Sequence, residues 1–242
     1  MKIIKLDATD STNAFLKRSC KLHDVDNFTV VVAQNQTEGK GQRDSKWETE
    51  RGKNLTFSIL IKNGLTNINQ VFNLNVMVAV SILEVLKVNE IIDLAIKWPN
   101  DIMSGNKKIG GILIENSIKA NQKIESVVGI GINVNQTQFF NLPHVSSLSA
   151  VSQKQFNLEA LLVQLCKQIE LNFERMTFEQ LYFWNNYHTN LFKKNVVAAF
   201  EDVNQNRFMG IIQRVSEQGK LVVLVDDNLE KMFSIKEIKL LL

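Results

Sequence analysis

The segment Gln36-Thr37-Glu38-Gly39-Lys40-Gly41-Gln42-Arg43-Asp44-Ser45-Lys46-Trp47 holds the densest set of groups able to handle an anion. Gly39 and Gly41 let backbone N–H groups come close to a ligand, and Lys40, Arg43 and Lys46 supply positive charge. The spacing is not GxxxxGK[ST], which excludes a P-loop. The plain alternative is a solvated surface loop. Lys97-Trp98-Pro99-Asn100-Asp101 sets one of the two prolines of the chain after a tryptophan, fixing a turn that presents Asn100 and Asp101. Alone, it reads equally well as an ordinary Pro-Asn-Asp turn. Lys108 follows with Ile109-Gly110-Gly111, where paired glycines admit close backbone approach to a ligand or mark a sheet bulge. Gly129-Ile130-Gly131-Ile132-Asn133-Val134-Asn135 places two glycines inside an apolar run, which weakens a strand unless something must approach its backbone. It lacks the third glycine and helix start of a dinucleotide fingerprint. Ser11-Thr12-Asn13, by itself, is a helix cap.

Other chemistries find little support. His23, His144 and His188 are isolated, with no metal-ligand or triad spacing, so nucleophilic catalysis by the protein is not expected. Cys20 and Cys166 lie far apart outside any CxxC pair and read as buried thiols of a reducing compartment. A net charge of +3 with scattered lysines and arginines disfavours bulk nucleic-acid binding. No signal peptide or membrane-length apolar run is evident, so a soluble cytoplasmic protein without a membrane partner is expected.

These residues need a scaffold, and its elements show in the periodicity. A short helix is expected over Ser11–Cys20 with Asp10 or Ser11 as N-cap, and strands over Phe28–Ala33 and Leu55–Lys62 flank the polar loop. Val71–Val88 has helical spacing. Ile91–Trp98 and Ile109–Glu115 read as two strands joined through a turn at Asn100–Asn106, and Ser126–Val134 as another strand. Helices are expected at Leu158–Phe173 and Glu179–His188. After Asn190 come short strands, VVAAFE, RFMGIIQRV, KLVVLV and KMFSI, broken at Gln218-Gly219 and Asp226-Asp227-Asn228, the pattern of a small antiparallel barrel. The fold class is therefore α+β, with a larger mixed unit over residues 1–190 and the barrel over 191–242.

The order DSTN, Q-x-x-GKG-x-R-x-x-x-W, KWPND, KIGGILIE and GIGINVN, spanning about Ile3 to Gln136, resembles the catalytic domain of biotin protein ligases. The terminal strands are similar to the SH3-like domain of that family. The resemblance implies a mixed-sheet, class II synthetase-like fold that uses ATP and Mg²⁺ to convert biotin to biotinyl-AMP, then transfers biotin to a lysine of a biotin carboxyl carrier protein. It places Ser11, Thr12 and Gln36 around the ureido ring, with Asn13, Gly111, Gly129 and Gly131 completing the biotin site. Gly39, Lys40, Gly41, Gln42 and Arg43 fold over the activated carboxyl and phosphate. Lys108 reaches the carboxylate and α-phosphate and, with Lys40, Arg43 and Asp101, forms the catalytic set. Arg43, Trp47, Lys97, Asn100 and Asn133 serve ATP, Asn133 near the adenine, and Asp101 is the candidate Mg²⁺ ligand or loop-ordering acid. Many relatives carry arginine where Lys40 and Gln42 stand, which removes guanidinium contacts. Lipoate or octanoate ligation is the rival within the superfamily. A non-catalytic biotin sensor is the rival outside it, disfavoured because DSTN begins at Asp10 and leaves no room for a helix-turn-helix ahead of it. The resemblance leaves monomer and homodimer both open.

Overall fold

The structure is a computed structural model that describes residues 1–42, 45–62, 65, 71–118, 124–140, 142–225 and 229–241. Seven strands form one mixed sheet: β1 (Lys2–Thr9), β2 (Thr29–Gln36), β3 (Leu55–Lys62), β4 (Leu94–Lys97), β5 (Asp101–Ser104), β6 (Lys107–Ile118) and β7 (Ile124–Ile132). Their order is β1-β2-β3-β7-β6-β5-β4, with β1 parallel to β2 and the other pairs antiparallel. The helices are α1 (Thr12–Leu22), α2 (Val71–Val88), α3 (Leu148–Ser152), α4 (Leu158–Arg175) and α5 (Gln180–Thr189).

The central strand β3 is buried along nearly its whole length because both sheet faces are covered. Side chains alternate across a strand. Phe57, Ile59 and Ile61 therefore join the large core under α2 and α4, while Leu60 faces the other way with Val31, Val127 and Leu16 of α1. Helix α2 is apolar nearly all round, as a central helix must be. It is long and apolar enough to cross a membrane, yet 67% of it is buried inside the protein, against α4, α5 and the sheet. Cys166 on α4 is buried, and burial, with Glu170 nearby, pushes its thiol up to about 12. Cys20, expected to be buried, is only half-buried, beside the Leu16 cluster at the end of α1.

Several elements depart from the sequence expectation. Strand β1 and the single-turn α3 were not foreseen. The Asn100–Asn106 turn contains β5, so the expected two-strand hairpin is a three-strand meander. The reason is that Trp98-Pro99-Asn100, with a cis Trp98–Pro99 bond, and Gly105-Asn106 are two separate reversals. Between β5 and β6 the register shifts at Ile109, one residue before the paired glycines for which a bulge was the alternative, while Gly110 and Gly111 themselves pair with Ile102 and Asp101.

The chain end forms a second, antiparallel sheet, β8 (Val197–Asp202), β9 (Arg207–Val215), β10 (Leu221–Val225), β11 (Leu229–Phe233) and β12 (Ile238–Leu240), in the order β11-β10-β9-β8-β12. Strand β12 was not foreseen, and the Asp226-Asp227-Asn228 turn lies outside the described residues. This small SH3-like unit shares the main apolar core: Phe200, Ile212, Leu221 and Ile238 belong to the cluster that contains Phe57. At the seam, Trp98 Nε1 donates to the Gly219 carbonyl at 3.0 Å. Gly219 has φ +78°, and a Cβ there would stand 2.4 Å from the Phe72 ring. Gly219→Ala should therefore cost about 1–3 kcal/mol through backbone strain and the clash, measured by urea unfolding; unchanged stability would show that the seam yields freely.

Candidate functional site

Thr56 and Ser58 lie on the α1 face of β3, and the ladder sets Gly131 opposite Thr56 and Gly129 opposite Ser58. The next strand brings Gly111 beside Gly131 and Leu113 beside Gly129. Apart from Leu113, three adjacent strands thus present small or polar residues on one patch, and at two of its glycines a Cβ would collide with a neighbour. At Gly129 it would stand 2.4 Å from Asn13 Oδ1, and at Gly131 2.4 Å from the indole of Trp47.

The N-terminus of α1 sits on this patch. Ser11 is its N-cap, and Thr12 and Asn13 are buried. The Ser58 hydroxyl lies 2.7 Å from Thr12 Oγ1 and 2.6 Å from Asn13 Oδ1. Asn13 turns its nitrogen to Glu115 at 2.9 Å and to the Leu113 carbonyl, so its oxygen can only accept the Ser58 proton. Thr12 must then give its own proton to Ser58 or to Gln36 Oε1, 3.1 Å away. Gln36 Oε1 also accepts the Thr12 backbone N–H at 2.8 Å. What remains for a ligand is a lone pair on Thr12, the amide nitrogen of Gln36 and the hydroxyl of Ser11.

Residues 39–42 and 45–47 come together as a roof. Trp47 N donates to Gly39 O at 2.9 Å, Gly41 N donates to Ser45 O at 2.7 Å, and Lys40 pairs with Lys46 as a bridge. The cavity between floor and roof has a free volume of about 70 Å³ and is lined by Ser11, Thr12, Asn13, Gln36, Lys40, Gly41, Gln42, Trp47, Asn100, Lys108, Gly111, Gly129 and Gly131, among others. A larger hollow of about 450 Å³ lies between β1, β2 and α4, but it holds none of the motif residues. Chemistry, not size, selects the smaller one.

Lys108 extends into this cavity from the bulge. Its backbone is clamped by the unforeseen loop at 144–146, through Lys108 N to His144 O at 2.7 Å and Ser146 N to Lys108 O at 2.9 Å. Its ammonium is 2.5 Å from Asp101 and 5.5 Å from the centre of the Trp47 ring. The indole nitrogen of Trp47 is buried without a hydrogen-bond partner among the described residues.

Not every expected residue lines the cavity. Gly39 packs beneath the Trp47 carbonyl. Asn133 is buried and its side-chain nitrogen donates to Ser146 O at 3.0 Å. Lys97 and Asp101 line a neighbouring cavity. Arg43 lies outside the described residues. Among the described residues no group of three or more His, Cys, Asp or Glu could hold a metal ion.

Two contributors had been given no role. Ser58 was signalled only as a polar residue in an otherwise apolar strand. Glu115 ends KIGGILIE and joins Asn13 to Lys17, whose ammonium is 2.8 Å away. Burial pushes the Glu115 carboxyl up, but Lys17 and Asn13 outweigh it and leave it below the ordinary value.

A mixed sheet with a polar, glycine-cleared floor, a lysine-bearing roof and an appended small barrel is the class II synthetase-like ligase fold. The biotin/lipoate A/B protein ligase family model matches residues 6–135, more than half of the chain, and the chain belongs to that family. Its structure resembles the biotin protein ligase from Aquifex aeolicus in complex with biotin and ATP, with a TM-score of 0.82 and 25% identity over 99% of this chain and 98% of that one. The bifunctional ligase/repressor BirA of Bacillus spizizenii is 33% identical over 108 residues, 45% of this chain and 33% of that protein. The biotin--[acetyl-CoA-carboxylase] ligase of Paracoccus denitrificans is 31% identical over 132 residues, 53% of each. The chain thus spans about a third to a half of the length of these two curated relatives.

Two outcomes test the site. Gly131→Ala should push the Trp47 indole off β7, moving one of three signals in fluorotryptophan NMR; three unmoved signals would mean that Trp47 does not pack there. Glu115 contributes stability above its ordinary pKa of 4.5 that is lost as pH falls through its lower folded value. Glu115→Gln should therefore be less stable at neutral pH, with the deficit shrinking below pH 4.5; a deficit independent of pH would refute the pairing.

Proposed function

We propose that the chain is a biotin protein ligase, which joins biotin to ATP as biotinyl-AMP, releases pyrophosphate, and passes biotin to a lysine of a biotin carboxyl carrier protein. The observation that carries this reading is the unspent hydrogen-bonding capacity of the floor. A cyclic urea presents a carbonyl flanked by N–H groups. Thr12 offers it a lone pair, and Gln36 and Ser11 offer donors. An octanoyl chain or a dithiolane ring has neither kind of partner and would leave these groups unpaired, which is costly in a closed site. Biotin is therefore favoured over lipoate or octanoate.

The carboxylate of biotin must approach the α-phosphate against charge repulsion. Lys108 stands at the cavity wall, held by Asp101 and by its clamped backbone, so its charge needs little reorganisation as negative charge builds in the transition state. The roof of residues 39–42 and 45–47 excludes water from the mixed anhydride, and Lys40 adds charge from above. In the second step the carrier lysine attacks as a neutral amine, and the protein contributes alignment. Magnesium fits as part of the nucleotide complex: phosphate oxygens would be most of its ligands, and Asp101 would be the contribution of the protein. When bound, it supplies further positive charge against the triphosphate. Residues 1–190 form the catalytic unit in this reading and 191–242 the SH3-like unit.

Protein incubated with biotin and Mg-ATP should release pyrophosphate and add one biotin to a carrier domain, read by mass spectrometry. Lys108→Ala should slow biotinyl-AMP formation roughly 100- to 1000-fold in single turnovers, while Gln36→Ala should raise the KM for biotin more than that for ATP. Adenylation of octanoate at the same rate as biotin would overturn the specificity assignment, and an unmodified carrier would overturn the function.

A further inference from the structure

The hydrogen bonds beneath the floor run in one direction and end outside the cavity. Glu115 is half-buried, and neither it nor Ser58 lines the cavity. One carboxylate oxygen of Glu115 holds the Lys17 ammonium at 2.8 Å, and the other accepts from Asn13 Nδ2 at 2.9 Å. Burial works against the charge, but Lys17 and Asn13 hold the carboxyl ionised, so it is an acceptor only. The Leu113 carbonyl, 3.2 Å from the same nitrogen, is a second acceptor. A turned Asn13 amide would set its oxygen against both. That oxygen therefore stays toward Ser58 Oγ, 2.6 Å away, and the single Ser58 proton is spent on it. Thr12 Oγ1 is 2.7 Å from Ser58 Oγ, a separation that requires a proton between the two oxygens, and the one left is that of Thr12. The Thr12 hydroxyl thus meets the cavity with lone pairs alone.

We propose that Glu115 is a positioning residue for the ligand: through Asn13 and Ser58 it fixes the Thr12 hydroxyl as an acceptor, and so selects a ring that brings an N–H to it. The proposal rests on the ligase reading, in which that N–H belongs to the ureido group. Each donor in the series, ligand N–H, Thr12, Ser58 and Asn13, then gives its proton toward the carboxylate, and bonds aligned in this way strengthen one another. A ring oxygen in place of the N–H would face the Thr12 lone pairs with no proton between them, which is costly in a closed site. Without the carboxylate the Asn13 amide is free to turn. The series can then reverse, and Thr12 can offer its proton to the cavity. Selectivity for the N–H depends in this way on a residue outside the cavity.

Titration calorimetry on the full chain tests this with biotin and with its two cyclic-carbamate analogues, in which oxygen replaces one or the other ureido N–H. For the parent, the analogue that puts oxygen at Thr12 should bind about 100-fold more weakly than biotin. Glu115→Gln should weaken biotin about tenfold and shrink that gap to about tenfold, the size of a lost charge-assisted contact. It should also raise the KM for biotin more than that for ATP. Ser58→Ala cuts the same series at its middle and adds no bulk, so it should shrink the gap too, and it carries the test if circular dichroism shows Glu115→Gln unfolded. A loss shared by biotin and both analogues in one common factor would mean that Glu115 and Ser58 only hold α1 in place, and the proposal would fail. It would fail equally if the variants kept the gap of the parent, or if the parent bound both analogues as tightly as biotin. Each of these results leaves the ligase reading intact while the parent makes biotinyl-AMP. A parent that neither binds biotin nor makes biotinyl-AMP would sink both.

Discussion

Ser58 is a hydroxyl in the middle of the central strand, fully buried, and it bonds the first turn of α1. An unpaired hydroxyl there would cost a large part of a hydrogen bond in free energy. Helix α1 must therefore dock with Thr12 and Asn13 over Ser58. That docking orients Gln36 through Thr12 and engages Glu115 through Asn13. Almost every donor and acceptor on the floor is used internally, which leaves a small, fixed set for a ligand. Such networks are rigid when complete and costly when broken.

Space on that floor comes from glycines rather than from a gap in the fold. Gly129 and Gly131 share a face because side chains alternate along β7, and each has a specific neighbour where a Cβ would go. Asn13 fills the first position and Trp47 the second. The roof therefore reaches down to the sheet, and Trp47 links it to Lys108 through the ring face. Displacement of Trp47 would change the surroundings of the Lys108 charge as well as the access of solvent.

The two sheets behave as one packed body around the site. The turn at Trp98-Pro99-Asn100 is held on the barrel side by Gly219, and Asn100 on the site side donates to Ile112 O at 2.6 Å. Backbone bonds Ile96 N to Asn190 O and Phe192 N to Ile96 O stitch β4 to the start of the barrel segment. The KWPND segment thus connects the seven-stranded sheet, the barrel and the cavities on either side of Asp101. A turn anchored on both sides in this way, by Trp98 and by Asn100, holds its position between the two sheets.

Much of this was legible in the sequence. The bounds of α2, β3 and β9 follow from local periodicity, because an element that buries one face, or all faces, repeats at its own period. The motif residues were legible too, since glycine, lysine and proline in apolar surroundings need a reason to be there. The tertiary structure alone decided which of them meet. That Thr56, Ser58, Gly129, Gly131 and Gly111 form one patch depends on strand register, set by hydrogen-bond ladders between segments distant in sequence. The same holds for Asn133 turning to Ser146 and for the pairing of Asp101 with Lys108. Local patterns record which face a residue occupies, whereas its neighbour on that face is chosen by long-range pairing, which leaves no periodic trace in a single chain.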